Sequence, residues 1–338
     1  MNKLLTISIA SYNVESTICE VLDSILECSL RDQIDVLVVN DGSTDTTSDL
    51  VKTYIRDYPG IVRLINKANG GYGSTVNTAM AMAKGKYFKL VDGDDWVDPE
   101  GLRGLLCFLA SHDVDMVVTK YVQVNPHNGR ETVIEGNYPY ADEILPFDEN
   151  SSYGVVPMHQ LTFRTEVLRA SGTRLMDGVP YTDAEFCIMP IPCVETIAYV
   201  DATVYRYRLG YEEQSVSIAS WKKNLDKGIC VTFDMIEFYN RVVAGPNKLT
   251  SAKIKYIKRQ IVGSLINRYL IFLTYEPSRK VKARLVAFDE AVHEYGGTWR
   301  DEASAANIAV KILLLSKFRL YSALSLAYRL KLKSSGRM

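Results

Sequence analysis

The 338-residue sequence lacks the features that define several classes of protein. No window approaches the roughly 18 uninterrupted apolar residues of a membrane-spanning helix. Met1–Ala10 has no basic segment before a long apolar run, so we expect no signal peptide. The six cysteines form no CxxC pair and no Cys/His cluster has zinc-ligand spacing. We therefore expect reduced thiols and a cytoplasmic location.

Charge is distributed unevenly along the chain, although the net charge is only −1. From Arg241 onward there are 19 Lys and Arg against 6 Asp and Glu, a balance of +13, so the preceding residues carry −14. Such asymmetry predicts that the two parts do different work. Because the spacing of apolar residues also changes near residues 212–220, we predict two domains, 1–215 and 216–338.

Strand-like and helical segments alternate through residues 1–120. The predicted strands are Leu4–Ala10, Asp35–Val39, Ile61–Ile65, Tyr87–Val91 and Asp115–Thr119. This alternation predicts an α/β fold in which helices flank a mostly parallel sheet, with ligands beyond the carboxyl ends of its strands. Later segments have helical spacing, and the predicted helices are Trp221–Tyr239, Lys248–Leu273, Ser278–Glu294 and Ala303–Leu332.

An acidic turn follows the fourth predicted strand, where Asp92, Asp94 and Asp95 have Gly93 as their only spacer. Carboxylates at the end of a buried strand repel one another and lose hydration unless a cation is present. A divalent metal with oxygen ligands would supply that cation. The structural alternative is a solvated turn before a helix that Asp98 caps, but it leaves the other three acids unexplained.

Two further polar turns follow predicted strands. Asn40–Asp45 is typical of a strand–turn–helix connection, and its Asp41 carboxylate could accept from a base N–H or a ribose hydroxyl. A simple capped turn explains the same spacing. Asn69–Asn77 is a glycine-rich loop that opens a helix, where Gly71 and its neighbours suit the close approach of a diphosphate. Val76 stands where a dinucleotide fingerprint would need its third glycine.

Taken in order, four segments resemble the family 2 glycosyltransferases, which are inverting enzymes of the GT-A fold. The segments are Ile7–Asn13, Val39–Asp45, Gly70–Asn77 and Leu90–Trp96. The resemblance implies a GT-A-type, Rossmann-like sheet, whereas the helical spacing of the later segments predicts the C-terminal all-helical extension. The resemblance also implies transfer of a sugar from a nucleotide-diphosphate donor, usually UDP, to a glycan or lipid-linked saccharide during cell-surface polysaccharide synthesis. The cofactor that it implies is Mn²⁺ or Mg²⁺.

The resemblance assigns a role to each matching residue. Asp94 matches the metal ligand of the family's DxD pair, whereas Asp92 matches the ribose contact and is a weaker metal candidate. Asp183 matches the general base that deprotonates the acceptor hydroxyl, and Glu185 is a second candidate because the family's Glu-Asp signature is incomplete here. A capped helix start is the structural alternative for both acids. The residues matched to nucleotide-sugar binding are Ala10, Tyr12, Asn13, Asp41, Gly71, Asn77, Asp92 and Gly93.

Other polar residues give weaker indications. Arg206, Arg208 and Gln214–Ser217 follow the matched base and could close over the donor phosphates. At strand spacing, the two arginines would equally lie together on one solvated face. His159 could line the acceptor cleft or belong to the core.

The end of the chain is basic, because Ala303–Met338 contains seven Lys and Arg and no acid. Apolar residues recur there at helical spacing: Ile308, Ile312, Leu315, Phe318, Tyr321, Leu324 and Tyr328. This pattern predicts a helix on an anionic membrane surface, which would place the protein peripherally on the inner face of the cytoplasmic membrane. A core helix or the interface of a homo-oligomer explains it equally well. We expect no nucleic-acid partner, since no recognition motif accompanies the charge.

Two other functions remain open at this point. A nucleotidyltransferase would need a basic, glycine-rich segment near the start of the chain, where Ser8–Asn13 has neither Lys nor Arg. A catalytically idle scaffold that binds glycans would not hydrolyse UDP-sugars in the presence of metal.

Overall fold

The computed structural model describes residues 3–151, 154–209 and 217–334. The chain divides into two compact units. The first comprises residues 1–210 and Lys248–Tyr256, and the second comprises 211–247 and 257–338. The predicted domain boundary after residue 215 lies outside the described residues, and so does most of the predicted phosphate-closing segment, Gln214–Val216.

Ten strands of the first unit form one sheet. They are β1 Leu5–Ser11, β2 Ile34–Asn40, β3 Val62–Asn66, β4 Tyr87–Asp92, β5 Trp96–Val97, β6 Met116–Asn125, β7 Arg130–Ile134, β8 Ile144–Pro146, β9 Leu161–Arg164 and β10 Thr196–Arg208. Their order is β3-β2-β1-β4-β9-β6-β10-β5, with β7 beside β6 and β8 beside β10.

The predicted mostly parallel sheet is confirmed for its first half. Strands β1 to β4 pair in parallel. The apolar runs that predicted β1, β2 and β4 are buried because helices cover such sheets, whereas β3, at the edge, is only partly buried. The second half is mixed, since β9 runs antiparallel to both β4 and β6, whereas β6 and β10 pair in parallel.

Helices flank this sheet, and further helices follow it in the described part of the chain. Those before residue 210 are α1 Ile18–Leu26, α2 Thr47–Asp57, α3 Gly71–Met82, α4 Pro99–Ser111, α5 Phe147–Asn150, α6 Thr165–Ala170 and α7 Asp183–Phe186. Those after residue 217 are α8 Ile218–Lys223, α9 Leu225–Ala244, α10 Ser251–Thr274, α11 Arg279–Glu294, α12 Trp299–Ala306, α13 Ile308–Leu315 and α14 Tyr321–Ser334. Among the described residues, no helix is both long enough and apolar enough to cross a membrane.

The strand register brings three predicted turns to one edge of the sheet. Ala10 in β1 lies opposite Asp92 in β4, and Ser11 lies opposite Asn40 in β2. The chain leaves each strand at the same level, and the Asp41 N–H donates to the Ser11 carbonyl at 2.8 Å. This edge is the carboxyl end of the parallel strands, where α/β sheets bind ligands.

The single helix predicted over Ala303–Leu332 is wrong, because three helices cover this segment. The Asn307 side chain accepts from the N–H groups of Ala309 and Val310 and so caps the start of α13. Lys317 and Phe318 then adopt left-handed backbone angles, with φ of 48° and 58°, which end the helical run. The apolar spacing did not reveal either break.

Candidate active site

The acidic turn after β4 is fastened to β10 by Asp95, whose carboxylate is 1% exposed. The Tyr205 hydroxyl donates to one of its oxygens at 2.5 Å, and the Arg208 N–H donates to the other at 2.8 Å. The Arg208 side chain also donates to the Asp94 carbonyl at 2.7 Å. These bonds fix the backbone of the turn, while the Asp94 side chain remains exposed.

Asp183 and Asp92 belong to the same site. Burial, together with the charges of Asp94 and Asp183, raises the pKa of Asp92 well above its usual range. Tyr72 lies against the same pair, and burial followed by the charges of Asp92 and Asp183 raises its pKa as well. The charge of the predicted general base therefore acts on the predicted donor-binding carboxylate.

The Glu185 side chain is fully buried and accepts a hydrogen bond from the Met176 N–H at 2.8 Å. Asp183, by contrast, is partly exposed at the start of α7. Of the two candidates, the geometry favours Asp183 as the group that meets an acceptor.

Asp41 holds the glycine-rich loop beside the end of β2. One oxygen of its buried carboxylate accepts from Lys67 Nζ at 2.7 Å and from the Gly70 N–H at 2.9 Å. The other accepts at 2.7 Å from the Gly71 N–H, which is its one donor among the described residues. A carboxylate oxygen accepts two bonds, so this second oxygen can still accept from the N–H of a base.

The glycine-rich loop packs closely against a second loop, residues 175–178. Gly71 has φ of +79°, and a Cβ there would lie 3.1 Å from the Gly178 backbone. A Cβ on Gly73 would lie 2.0 Å from the Met176 carbonyl oxygen. Any side chain at Gly73 would therefore push the two loops apart.

Asn77 joins the same two loops. Its amide nitrogen donates to the Leu175 carbonyl at 2.8 Å, and its oxygen accepts from the Leu175 N–H at 2.9 Å. The residue matched to donor binding thus also positions the segment that precedes α7.

The turn after β1 supplies the remaining predicted donor contacts. Tyr12 is 52% exposed. Asn13 has φ of 51°, and its side-chain oxygen accepts from the Thr44 N–H at 2.9 Å. The Gly93 N–H donates to the Ala10 carbonyl at 3.1 Å, and a Cβ on Gly93 would lie 2.8 Å from that oxygen. All the predicted donor-binding segments therefore lie along one edge.

Three side chains could share a divalent cation: Asp92, Asp95 and His159, whose donor atoms lie within 4.8 Å of one another. Among the described residues, this group differs from the predicted pair, since it contains Asp95 and His159 and not Asp94. The pairing of β9 with β4 explains why His159 is there. His159 lies in a short 3-10 helix, Met158–Gln160, directly before β9, and its carbonyl accepts from Lys89 Nζ of β4 at 2.8 Å.

The chemistry of these residues fits a divalent metal. His159 Nδ1 and Asp92 Oδ1 are buried and have no hydrogen-bond partner among the described residues. Burial and the nearby charge of Lys89 lower the pKa of His159 to about 3, so its imidazole is neutral near pH 7. Neutral imidazole is the form that binds metals. The centre of the imidazole ring also lies 4.7 Å from the ring centre of Tyr205 and 4.4 Å from that of Tyr207, and this packing fixes its position.

The expectation of a solvated face is wrong for Arg208, which is 9% exposed. Its guanidinium pairs with Glu20 at 2.6 Å and lies 4.5 Å from the centre of the Trp96 ring. Arg206 pairs with Glu131 and lies 5.6 Å from the same ring. Both cations are held near the acidic turn by Trp96 because β5 pairs with β10.

Known proteins resemble this chain in sequence. Residues 6–172 match the family model "Glycosyl transferase family 2". An uncharacterized glycosyltransferase, EpsJ, from Bacillus subtilis is 36% identical over 117 residues, 35% of this chain and 33% of that protein. The putative glycosyltransferase EpsH of the same organism is 25% identical over 216 residues, which are 60% of this chain and 59% of the EpsH chain. The chain thus spans less than two thirds of the length of either relative.

Solved structures share the fold across nearly the whole chain. Staphylococcus aureus TarS 1–349 in complex with UDP-GlcNAc has a TM-score of 0.69 and 17% identity, covering 97% of this chain and 92% of that one. A mannosyltransferase from Pyrobaculum calidifontis in complex with GDP-Man and Mn²⁺ has a TM-score of 0.52 and 16% identity. The match covers 98% of this chain and 88% of that one. At these identities the likeness establishes the architecture, and it confirms the expected fold, including the helical extension.

Proposed function

The chain belongs to glycosyl transferase family 2, and on that premise we propose that it is an inverting transferase acting on a nucleotide-diphosphate sugar. The acceptor is a glycan or lipid-linked saccharide in cell-surface polysaccharide synthesis. One observation carries the proposal: Asp92 ends β4 and Asp41 directly follows β2, so both carboxylates lie at one edge of the sheet, where the charge of the partly exposed Asp183 also acts on Asp92. UDP is the favoured nucleotide because the TarS structure contains UDP-GlcNAc.

The chain's own residues account for the transfer. Asp41 accepts from the base. The diphosphate lies at the N-terminus of α3, which begins at Gly71, where the helix dipole favours negative charge. Asp183 takes the proton of the acceptor hydroxyl as that oxygen attacks the anomeric carbon. A single displacement with a single base inverts the anomeric centre, so an α-linked donor gives a β-linked product.

A divalent metal would be held by Asp92, Asp95 and His159, and Asp94 is the ligand that the family resemblance implies. Such an ion, Mn²⁺ or Mg²⁺, supplies a Lewis acid that neutralises charge on the departing nucleotide diphosphate. The buried, unpartnered Asp92 Oδ1 and His159 Nδ1 support this placement. The location proposed for the protein is the cytoplasm, peripheral to the inner face of the membrane, and a homo-oligomer remains a prediction.

The activity can be tested without knowledge of the acceptor. The protein is incubated with UDP-GlcNAc, UDP-glucose, UDP-galactose or GDP-mannose, with Mn²⁺ or with EDTA, and the released nucleotide is quantified. We expect slow, Mn²⁺-dependent release of nucleoside diphosphate from one donor, because water replaces the missing acceptor. Release of pyrophosphate in the presence of sugar phosphate and nucleoside triphosphate would instead identify a nucleotidyltransferase. Binding without any release would favour the idle scaffold.

Asp41→Asn should weaken UDP binding about 10- to 100-fold, because a hydrogen bond to a charged group contributes roughly 1.5–3 kcal/mol. The change also removes the ion pair with Lys67. Isothermal titration with UDP measures the effect, and a thermal-unfolding scan shows whether the variant is folded. Asp49→Asn is the matched control, since that carboxylate is 78% exposed on α2 and should bind UDP normally. Equal affinity of Asp41→Asn and wild type would refute the base contact.

A further inference from the structure

Large exposed apolar side chains are concentrated near the end of the chain. Within α13, α14 and the turn between them, Ile308, Leu315, Leu320, Leu326 and Leu330 are each between 50% and 74% exposed. The other large apolar side chains with high exposure are scattered singly through the described residues. Scattered apolar residues are ordinary on a protein surface, whereas a contiguous group marks a contact.

On α14 these residues form one face. Ala323, Leu326, Ala327 and Leu330 follow one another at intervals of three or four residues and are all exposed. We call this group the outer stripe. Residues spaced in this way lie on the same side of a helix. The outer stripe is therefore a continuous apolar surface.

The opposite face of α14 is already packed within the second unit. Tyr321 and Ser325 are buried, and the Ser325 hydroxyl donates to the carbonyls of Leu273 at 3.0 Å and Tyr275 at 2.8 Å. Phe318 is buried as well. A membrane-facing helix and a core helix explained the spacing of Phe318 and Tyr321 equally well, and their burial places these two residues in the core. The helix has a core face that stabilises the unit and an apolar outer face that does not.

Exposed cations accompany the outer stripe. Lys331 and Lys333 flank it on α14, and Lys311, Lys317 and Arg319 are exposed earlier in the same segment, which has no acid from Ala303 to the end of the sequence. Lysine is depleted at the cores of protein–protein interfaces, so this composition disfavours a second copy of the chain as the occupant. Apolar residues flanked by cations are the combination that binds an anionic bilayer surface.

We propose that the outer stripe and its flanking cations dock this chain on an anionic lipid bilayer. The leucines enter the boundary between headgroups and acyl chains, while the cations meet the lipid phosphates. The docking itself is inferred from the second unit alone. Only its link to a lipid-linked acceptor rests on the proposed function. It would bring the second unit to the surface where such an acceptor is found.

Vesicle co-sedimentation of the full chain tests the proposal. Vesicles of phosphatidylglycerol and of phosphatidylcholine are compared for wild type, for the double variant Leu326→Gln/Leu330→Gln, and for Lys331→Gln/Lys333→Gln. We expect wild type to partition at least about tenfold more strongly onto phosphatidylglycerol, with 0.5 M salt reducing the binding. Each double variant should lose about tenfold or more. Val243→Gln is the matched control, since Val243 is exposed on α9 of the same unit and should change nothing.

Three results would overturn the docking proposal. The first is unchanged partitioning of the leucine double variant, and the second is equal partitioning of wild type onto both lipids. The third is a wild-type dimer, seen by light scattering, that the leucine changes convert to monomer while vesicle binding stays the same. Mn²⁺-dependent nucleotide release is measured on the same variants. Retained release with lost docking separates this inference from the proposed activity, whose own failure would be absence of release in wild type.

Discussion

Asp183→Asn is expected to lower sugar transfer about 10²- to 10⁴-fold, the range that general-base catalysis contributes. The amide cannot take the proton of the acceptor hydroxyl, although its size and position match those of the carboxylate. UDP-sugar affinity should change little, because Asp183 meets the acceptor and not the nucleotide. Nucleotide release with acceptor present measures the transfer, and titration with UDP measures binding.

Glu185→Gln provides the comparison for that result. Glu185 is buried and accepts from the Met176 N–H, so its loss should lower thermal stability and weaken donor binding and turnover together. A selective loss of turnover in Glu185→Gln, with normal turnover in Asp183→Asn, would move the base to Glu185. Parallel losses of binding and turnover in Asp183→Asn would show that Asp183 is a structural cap.

Asp92→Asn and His159→Gln are each expected to weaken Mn²⁺ binding at least about tenfold, because each removes a donor atom from the proposed cation site. Titration monitored by electron paramagnetic resonance measures the affinity directly and needs no turnover. Pulsed spectra of the wild type should also show coupling of Mn²⁺ to a nitrogen nucleus. That coupling should disappear in His159→Gln.

His293→Gln is the control, because this histidine is exposed on α11 and should leave both the affinity and the nitrogen coupling unchanged. Asp94→Asn decides between the two ligand sets. If it weakens Mn²⁺ binding as much as Asp92→Asn while His159→Gln has no effect, the metal is bound by the Asp92–Asp94 pair and His159 is a core residue.

Local patterns predicted the first half of the sheet well, since β1, β2 and β4 are buried apolar runs and helices separate β1 to β4 along the chain. They also predicted that the turns after β1, β2 and β4 lie together, because parallel strands end at the same edge. The position of His159 could not be predicted in this way. It depends on the antiparallel pairing of β9 with β4, and no local pattern discloses which distant strand will pair.

Burial was the other quantity that local spacing could not supply. Arg208 has the spacing of a solvated strand residue, yet Trp96 and Glu20 enclose it because β5 returns to pair with β10. On α14, helical spacing revealed an apolar pattern but not which side of it would pack inward. Phe318 and Tyr321 are buried, while Leu326 and Leu330 face outward.

The loop at residues 175–178 has a consequence for kinetics. It is bonded on one side to the glycine-rich loop, through Gly178 and Gly70 at 2.7 Å, and on the other to α7, through Met176 and Glu185 at 2.8 Å. A displacement of the glycine-rich loop by a bound diphosphate would therefore reach the helix that carries Asp183. Binding of the donor and binding of the acceptor are then coupled through this loop, and each substrate should change the affinity for the other by the same factor.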